Sequence, residues 1–267
     1  IMKEKKKLNQ NTVLLLVTIL LFFVMYAIGC VLFNAQGFAK TQNFLNLFIS
    51  NAGLIVIGIG MTIVMITGGI DISVGSFVAM GCMMLAWMME KGGIGAVPAV
   101  IIVLVTGIVF GLVQGFLVAY MDIQPFIVTL AGMFFARGMT TIVHTDPFNV
   151  QNKAFVALKD TRVIVPGMGS VNRIGKYVDA YVEIGVIVAL LIVVLMFVML
   201  RWSKLGRAFY AVGGNKQSAL MLGINVKRTR FLAQLFSGVL AGIAGYVYFL
   251  HVGSGSASHA TGMEMNA

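Results

Sequence analysis

The sequence RWSKLGRAFYAVGGNKQSALMLGINVKRTR, residues 201–230, separates two long apolar runs with a polar and strongly basic segment. It contains seven Lys and Arg residues and no Asp or Glu. Lys and Arg concentrate in short loops on the cytoplasmic side of membrane proteins. This stretch, called the basic segment below, is therefore predicted to face the cytosol.

The basic segment is predicted to contain one short helix, from Lys216 to Leu222. Asn215 suits the N-cap position, where a side-chain oxygen accepts from first-turn N–H groups, and Gly223 suits the left-handed position after the helix. Gly213 and Gly214 are predicted to form a tight turn before it. The sequence thus presents a compact helix between two membrane segments.

Four apolar residues of this helix, Ala219, Leu220, Met221 and Leu222, are predicted to form one surface. An exposed apolar patch with a polar rim usually marks a contact with a protein or a membrane. The alternative is a helix that lies in the lipid interface. The residues alone leave both interpretations open.

Composition indicates an integral membrane protein. Apolar residues make up 59% of the 267-residue chain and charged residues only 10%, against roughly a quarter in soluble domains. The net charge of +10 comes from residues at the ends of apolar runs, which favours anionic lipid over nucleic acid as its partner. Cys30 and Cys82 lie inside separate apolar runs and imply no disulfide and no metal.

The hydropathy pattern predicts an all-α fold, a polytopic transmembrane helical bundle of about seven helices. The predicted helices cover residues 13–33, 44–67, 73–89, 97–120, 126–143, 180–200 and 231–250. Alternation from a cytosolic N-terminus, which carries Lys3, Lys5, Lys6 and Lys7, returns the basic segment to the cytosol. It places residues 144–179 outside, where the charge bias is diluted by five cations that include Arg173 and Lys176.

Enzymatic chemistry finds little support in the sequence. The run Gly213-Gly214-Asn215-Lys216 lacks the spacing of a nucleotide-binding phosphate loop, so ATP is not expected to bind here. His144, His251 and His259 do not have the spacing of metal ligands. No cofactor and no catalytic residue is predicted.

Three motifs resemble those of one transporter family. Residues 210–215, YAVGGN, with Ser218-Ala219 and Gly223-Ile224, resemble the coupling loop in the membrane subunits of sugar-importing ABC transporters of the ribose and galactofuranose type. Residues 68–76, GGIDISVGS, resemble that family's signature, and residues 125–134, PFIVTLAGMF, with Arg137-Gly138, resemble its next landmark. The motifs stand in the family's order and cover most of the chain.

The resemblance implies that residues 1–267 form one transmembrane permease domain of an ATP-driven monosaccharide importer in the bacterial plasma membrane. It implies a separate cytosolic ATP-binding subunit, an extracytoplasmic sugar-binding protein and a second permease copy or a paralogous permease. The family's second half is missing after Ala267, so a C-terminally truncated chain is expected. A branched-chain amino acid or nucleoside permease of a related importer, or a self-contained secondary transporter, is the alternative.

The resemblance and the residue types together give two sets of candidate site residues in and beside the membrane. Coupling to the ATPase is assigned to Arg207, Asn215, Ser218, Ala219, Leu220, Met221, Gly223 and Ile224. The translocation path is assigned to Asn51, Gly68, Gly69, Asp71, Ser73, Phe126 and Arg137. Asp71 or Ser73 could instead simply cap the third helix, and Arg137 could extend its long side chain to the interface.

The segment 144–179 is predicted to be an extracytoplasmic loop where a binding protein docks. It is long, contains Pro147 and Pro166, and carries mixed charge, and loops of this length tend to be functional. Lys159 and Arg162 are the candidate docking residues. A passive connector is the alternative.

Overall fold

The structure, a computed structural model, describes residues 10–33, 37–171 and 177–267. The cations Lys3, Lys5, Lys6, Lys7, Arg173 and Lys176 lie outside the described residues. Seven apolar helices correspond to the predicted ones. They are α1 (Gln10–Leu32), α2 (Thr41–Ile66), α3 (Val74–Glu90), α4 (Ala96–Ala119), α5 (Pro125–Val143), α7 (Ile184–Trp202) and α10 (Val226–Val252).

Within the described residues, six of these helices are long and apolar enough to cross a membrane, and α3 is shorter, with 17 residues. The predicted polytopic helical bundle is therefore confirmed. Nearly every residue of α3 is buried, because α4, α5 and α10 all pack against it. A helix that is apolar all round and enclosed in this way belongs to the centre of a bundle.

Shorter elements connect the long helices. Between α5 and α7 lie β1 (Phe148–Asn149), α6 (Lys153–Lys159), β2 (Arg162–Val171) and β3 (Tyr177–Glu183). Between α7 and α10 lie α8 (Lys204–Gly214) and α9 (Lys216–Met221), and after α10 come β4 (Ser254–Gly255) and α11 (Met263–Asn266). Strand β1 pairs with β4 antiparallel, and β2 pairs with β3.

The chain divides into two compact units. The first comprises residues 1–47 and 164–181, so it contains α1, the start of α2 and most of the β2–β3 hairpin. Gln42 fixes the hairpin to α2, because its amide accepts from Tyr181 N at 2.9 Å and donates to Tyr181 O at 3.2 Å. Tyr26 of α1 packs its ring against Phe38 and Phe44.

The second unit comprises residues 48–163 and 182–267, and α10 packs against α4 and α3 at its centre. Glycines let α4 and α10 approach closely. A methyl group on Gly107 would stand 2.7 Å from the Gly238 carbonyl oxygen, and one on Gly238 would stand 2.6 Å from Gly111 Cα. Contact between backbones takes this form in lipid, where little hydrophobic force drives helices together.

Two predicted helix boundaries are wrong. The sixth helix was expected to begin at Ala180, but Tyr177–Glu183 form a strand and α7 begins at Ile184, because the two Tyr-Val pairs of the strand favour an extended chain. The seventh was expected to begin at Phe231, but α10 begins at Val226, where Asn225 accepts from Arg228 N at 2.9 Å. The last five residues of the basic segment, 226–230, are therefore part of α10 rather than of the connection before it.

Candidate functional site

The connection between α2 and α3, residues 67–73, starts with a glycine-based helix stop. Gly68 adopts a φ of +79°, and its N–H donates to Met65 O at 2.9 Å while Gly69 N donates to Val64 O at 3.0 Å. These two bonds define the Schellman motif, which satisfies carbonyls left open at a helix C-terminus. The paired glycines therefore end α2, as predicted, and turn the chain toward Asp71.

Asp71 is buried, with 1% of its surface exposed, and accepts three hydrogen bonds. Oδ1 accepts from Ser73 N at 3.0 Å and Ser73 Oγ at 2.6 Å, and Oδ2 accepts from Ser237 Oγ at 2.6 Å. Ser237 lies on α10, so the carboxylate ties the α2–α3 connection to the central helix. A buried carboxylate needs such donors, since burial without them is costly.

Two further polar side chains complete what we call the Asp71 cluster, which consists of Asp71, Ser73, Gln114, Thr129 and Ser237. Gln114 of α4 donates from Nε2 to Ser73 Oγ at 2.9 Å. Thr129 of α5 donates to the Ile70 carbonyl at 3.3 Å. Three membrane helices thus contribute side chains that hold one short connection in place.

The capping interpretation of this region needs correction. Ser73 occupies the N-cap position of α3, but its side chain makes no cap hydrogen bond and donates instead to Asp71. Asp71 binds the N–H of Ser73, which lies before the first helical residue, Val74. The polar side chains therefore stabilise the connection rather than the first turn of the helix.

Some buried polar atoms beside the cluster have no hydrogen-bond partner among the described residues. They include Ser76 Oγ on α3 and both side-chain polar atoms of Gln234 on α10, one turn before Ser237. Gln234 faces α4, where a methyl group on Gly115 would stand 3.4 Å from its Cβ. Such atoms are rare in folded proteins and mark places that can take water or a ligand hydroxyl.

The remaining predicted path residues do not join the cluster. Asn51 is exposed in the first half of α2, and Phe126, at the start of α5, is 46% exposed. Arg137 is half-buried near the other end of α5 and donates from Nη1 to the carbonyls of Ala257 and His259, both at 3.0 Å. The structure therefore brings Gly68, Gly69, Asp71 and Ser73 together and gives Arg137 a separate partner after α10.

The basic segment contains two helices where one was predicted. Ser203 caps α8 by accepting from Gly206 N at 2.9 Å, and α8 continues through Gly213 and Gly214, so the predicted tight turn at these glycines is wrong. Helix α8 buries Phe209 and Val212 and keeps the charged Arg207 exposed. This spacing of buried residues is that of an amphipathic helix.

The predicted short helix is present as α9, with both predicted caps. Asn215 Oδ1 accepts from Gln217 N and Ser218 N, each at 2.9 Å. Gly223 has a φ of +76° and donates to Leu220 O at 2.9 Å, while Ile224 N donates to Ala219 O at 3.0 Å. Helix α9 therefore also ends in a Schellman motif, which gives a short helix a defined shape.

The exposed apolar surface of α9 differs from the expected one. Ala219 is buried, with 1% of its surface exposed, whereas Leu220, Met221 and Leu222 are 59%, 81% and 75% exposed. Leu220 and Ile224 also line a groove of about 660 Å³ together with Lys216, Lys227 and Arg230, and with Asp122, whose Oδ1 pairs with Arg230 at 3.1 Å. An apolar surface beside basic residues suits a protein partner that presents apolar and acidic groups.

The two predicted docking residues have different surroundings. Lys159 is half-buried at the end of α6 and donates from Nζ to the Val252 carbonyl at 3.4 Å, so it serves the C-terminus of α10. Arg162 is exposed at the start of β2. The segment between α5 and α7 is also anchored by the β1–β4 pair and by Phe155, whose ring lies 4.5 Å from that of Phe249.

Among the described residues, no group of three or more His, Cys, Asp or Glu side chains could hold a metal ion. The sequence did not predict that Ser237 and Thr129 take part in the Asp71 cluster. Ser237 stands among small residues of α10 with no local signal of a distant partner. Gln114 is a polar residue within an apolar run, and its pairing with Ser73 follows only from the arrangement of the helices.

Comparisons with known proteins add independent information. The family described as "Branched-chain amino acid transport system / permease component" matches residues 43–267. The chain is 35% identical to the fructose import permease protein FruG of Bifidobacterium longum over 99% of this chain and 76% of that protein. It is 34% identical to the inner membrane ABC transporter permease protein YjfF of Escherichia coli, over 95% and 72% of the two chains.

A third relative, the ribose import permease protein RbsC of Escherichia coli, is 30% identical over 87% of this chain and 69% of that protein. No solved structure matches the chain. The matched residues include the Asp71 cluster, α8 and α9.

Proposed function

The chain belongs to the permease family of branched-chain amino acid and sugar ABC importers, and we propose that it is the membrane subunit through which a monosaccharide is imported. The observation that carries this proposal is the similarity, over almost the whole chain, to a fructose import permease. Relatives named for ribose and D-allose transport support the same substrate class. The chain is a multi-pass membrane protein.

We place the protein in the bacterial plasma membrane with α8 and α9 in the cytosol. The concentration of cations in the basic segment supports this orientation. The relative named as an inner membrane permease supports the location. In this orientation α2 runs inward, and the Asp71 cluster lies toward the cytosolic side of the membrane.

A separate ATP-binding subunit is the proposed partner of α9. The exposed Leu220, Met221 and Leu222 and the neighbouring basic groove support a protein contact, and ATP hydrolysis would occur on that subunit. Asn215 and Gly223 would shape the helix, while Arg207, Ser218 and Ile224 would flank the contact. Ala219, which is buried, would pack α9 against the rest of the permease.

The Asp71 cluster is the proposed inner constriction of the translocation path. Its carboxylate is closed off from solvent by the hydroxyl donors Ser237 on α10 and Ser73 just before α3, which supports a closed state. The unpartnered atoms of Gln234 and Ser76 lie beside it and could bind sugar hydroxyls once the helices separate. Interrupted helices serve this purpose in other transporters.

A sugar-binding protein is proposed to dock outside on the segment between α5 and α7, and a second permease to complete the path. Exposed Arg162 supports an electrostatic contribution to docking. A branched-chain amino acid is the second candidate substrate, because the matching family is described by that class.

The proposal is tested by reconstituting the permease in liposomes with its ATP-binding subunit and binding protein. Labelled D-fructose, D-ribose, D-allose and L-leucine serve as probes, each with and without ATP. We expect uptake of one of the three sugars, dependent on ATP and on the binding protein. Uptake of leucine would favour the second candidate, and uptake without ATP would contradict an ATP-driven importer.

A further inference from the structure

Helix α8 rests on two membrane helices through backbone contacts. A methyl group placed on Gly206 would overlap the carbonyl oxygen of Leu200 near the end of α7. One placed on Gly213 would overlap the carbonyl oxygen of Ile66, the last residue of α2. The two glycines are about two helical turns apart and so share one face. The nearest atoms at both positions belong to the backbone, so no flexible side chain could move aside to make room for a methyl group.

The contact at Gly213 is restricted to one side of the residue. The methyl group would also stand 2.9 Å from Ile66 C and 3.5 Å from Thr67 Cα, so all three of its nearest atoms belong to the end of α2. Gly213 is otherwise exposed. A methyl group on the next residue, Gly214, would meet nothing within 4 Å. The geometry thus demands glycine at 213 and not at 214.

The Gly213–Ile66 contact lies between α9 and the connection that holds Asp71. On one side, α9 follows α8 directly, because Asn215 ends α8 and caps α9. On the other, Ile66 precedes the connection that holds Asp71. Phe209 of α8 also packs at 6.3 Å against Phe236, the neighbour of Ser237 on α10. A displacement of α8 would therefore reach both helices that the Asp71–Ser237 hydrogen bond joins.

We propose that the Gly213–Ile66 contact transmits movement of α9 to the Asp71 cluster, which makes Gly213 a positioning residue for transport. The inference rests on the proposed function, in which an ATP-binding subunit moves α9. Close-packed backbone transmits displacement because it has no flexible atoms to absorb it. Small shifts at such contacts become changes of state where the packing has two arrangements.

The test compares Gly213→Ala with Gly214→Ala in the full reconstituted transporter. Both substitutions replace glycine by alanine in the same helical turn, so they change helix propensity alike. Sugar uptake per ATP hydrolysed is measured, with affinity for the ATP-binding subunit as the assembly control. We expect Gly213→Ala to assemble and to hydrolyse ATP but to lose most of its uptake per ATP. Gly214→Ala should match the wild type.

The outcomes separate the two proposals. A wild-type complex without ATP-driven uptake would reject the proposed function itself. A wild type that transports, together with a Gly213→Ala variant of equal uptake per ATP, would overturn the role of Gly213 alone. Loss of uptake in both variants would also overturn it, since the effect would then come from any substitution at this end of α8 rather than from the contact with Ile66.

A second measurement applies if Gly213→Ala does not assemble. Spin labels at Met65→Cys and Gly214→Cys, with Cys30 and Cys82 replaced by Ala, report the distance between the end of α2 and α8 while Gly213 is kept. Met65 is 51% exposed and position 214 is open, so both accept a label. We expect the same distance with and without bound nucleotide, because the two elements move together. A nucleotide-dependent distance would overturn the inference.

Discussion

The hydroxyl of Ser237 donates a 2.6 Å hydrogen bond to Oδ2 of Asp71, across 166 positions of the sequence. It joins the centre of α10 to the connection between α2 and α3 and gives one carboxylate oxygen a partner inside the bundle. The other oxygen is satisfied locally by Ser73. The Asp71–Ser237 bond is therefore the contact through which the cluster reaches α10, and breaking it should loosen α10 from the connection after α2.

Ser237→Ala should destabilise the protein by about 1–3 kcal/mol, because it leaves one oxygen of a buried carboxylate without its donor. The measurement is the thermal unfolding midpoint in detergent. Thr106→Val is the control, since its hydroxyl donates only to Ile102 within α4 and is exposed. Equal midpoints for the two variants would contradict a structural role for the Asp71–Ser237 bond.

Local features of the fold could be predicted from the sequence because they depend on a few neighbouring residues. Asn215 and Gly223 bound α9 as expected, and Gly68 ends α2, because capping and left-handed turns are decided by the residue type at one position. Long apolar runs gave the membrane helices for a similar reason. Signals of this kind need no knowledge of the partner helices.

Features that depend on distant contacts could not be predicted. Gly213 was interpreted as a turn residue, whereas its size is required by Ile66 of another helix. Ala219 was placed on an exposed surface, but tertiary packing covers it. The side chains of α10, α4 and α5 that hold Asp71, Ser73 and Ile70 in place follow from helix packing, which the order of residues in one helix does not determine.

Lys159→Met should loosen α6 from the end of α10. The ammonium group lies 3.4 Å from the Val252 carbonyl, where a positive charge is favoured by the helix dipole by about 0.3–1 kcal/mol. The measurement is amide hydrogen exchange over residues 153–160, which should become faster. Lys153→Met, at the exposed start of the same helix, is the control, and equal exchange in both variants would contradict this role of Lys159.

Arg162→Glu should weaken the docking of the sugar-loaded binding protein. Arg162 is exposed, so its charge is accessible to a docking protein. Charge at the rim of an interface mainly changes the association rate and its salt dependence. Affinity measured at low salt should fall; unchanged affinity would argue against docking at this segment.

Acid should loosen the segment after α10 through His259. Burial lowers the pKa of His259, whose Nδ1 is buried. Two contacts hold this residue in place: Arg137 donates to its backbone carbonyl, and the Tyr248 ring lies 5.9 Å from its ring. Because the folded pKa lies below the unfolded value of about 6.5, the stabilisation is present above that pH. It is lost as the pH falls through the folded pKa.

Hydrogen exchange over residues 256–262, corrected for the intrinsic pH dependence, measures this effect. We expect faster exchange at pH 5 than at pH 7.5, and His259→Gln should remove most of the difference. His251, which pairs with Glu183 at 3.1 Å, remains in the variant and serves as an internal control. An unchanged pH dependence in His259→Gln would assign the effect to another group.

Leu220→Asp should abolish assembly with the ATP-binding subunit while the permease itself stays folded. Leu220 is 59% exposed in the isolated chain, so a carboxylate there remains hydrated until the partner binds. In a cleft of the partner this carboxylate would be desolvated at a cost of several kcal/mol, and an ion pair with the exposed Lys216 in the same groove would offset only about 0.2–1 kcal/mol of that cost. The affinity should then fall by roughly a thousandfold, since about 1.4 kcal/mol corresponds to tenfold.

Two controls identify the cause of that loss. Leu220→Asn has nearly the size of the aspartate variant without its charge, so it should lose less affinity. Leu158→Asp changes an exposed leucine on α6, on the opposite side of the membrane in the proposed orientation, and should leave assembly intact. If α9 instead lay in the lipid interface, the carboxylate of Leu220→Asp could turn to water, and ATP-driven uptake would continue. Normal assembly with normal uptake would therefore exclude α9 as the contact with the ATP-binding subunit.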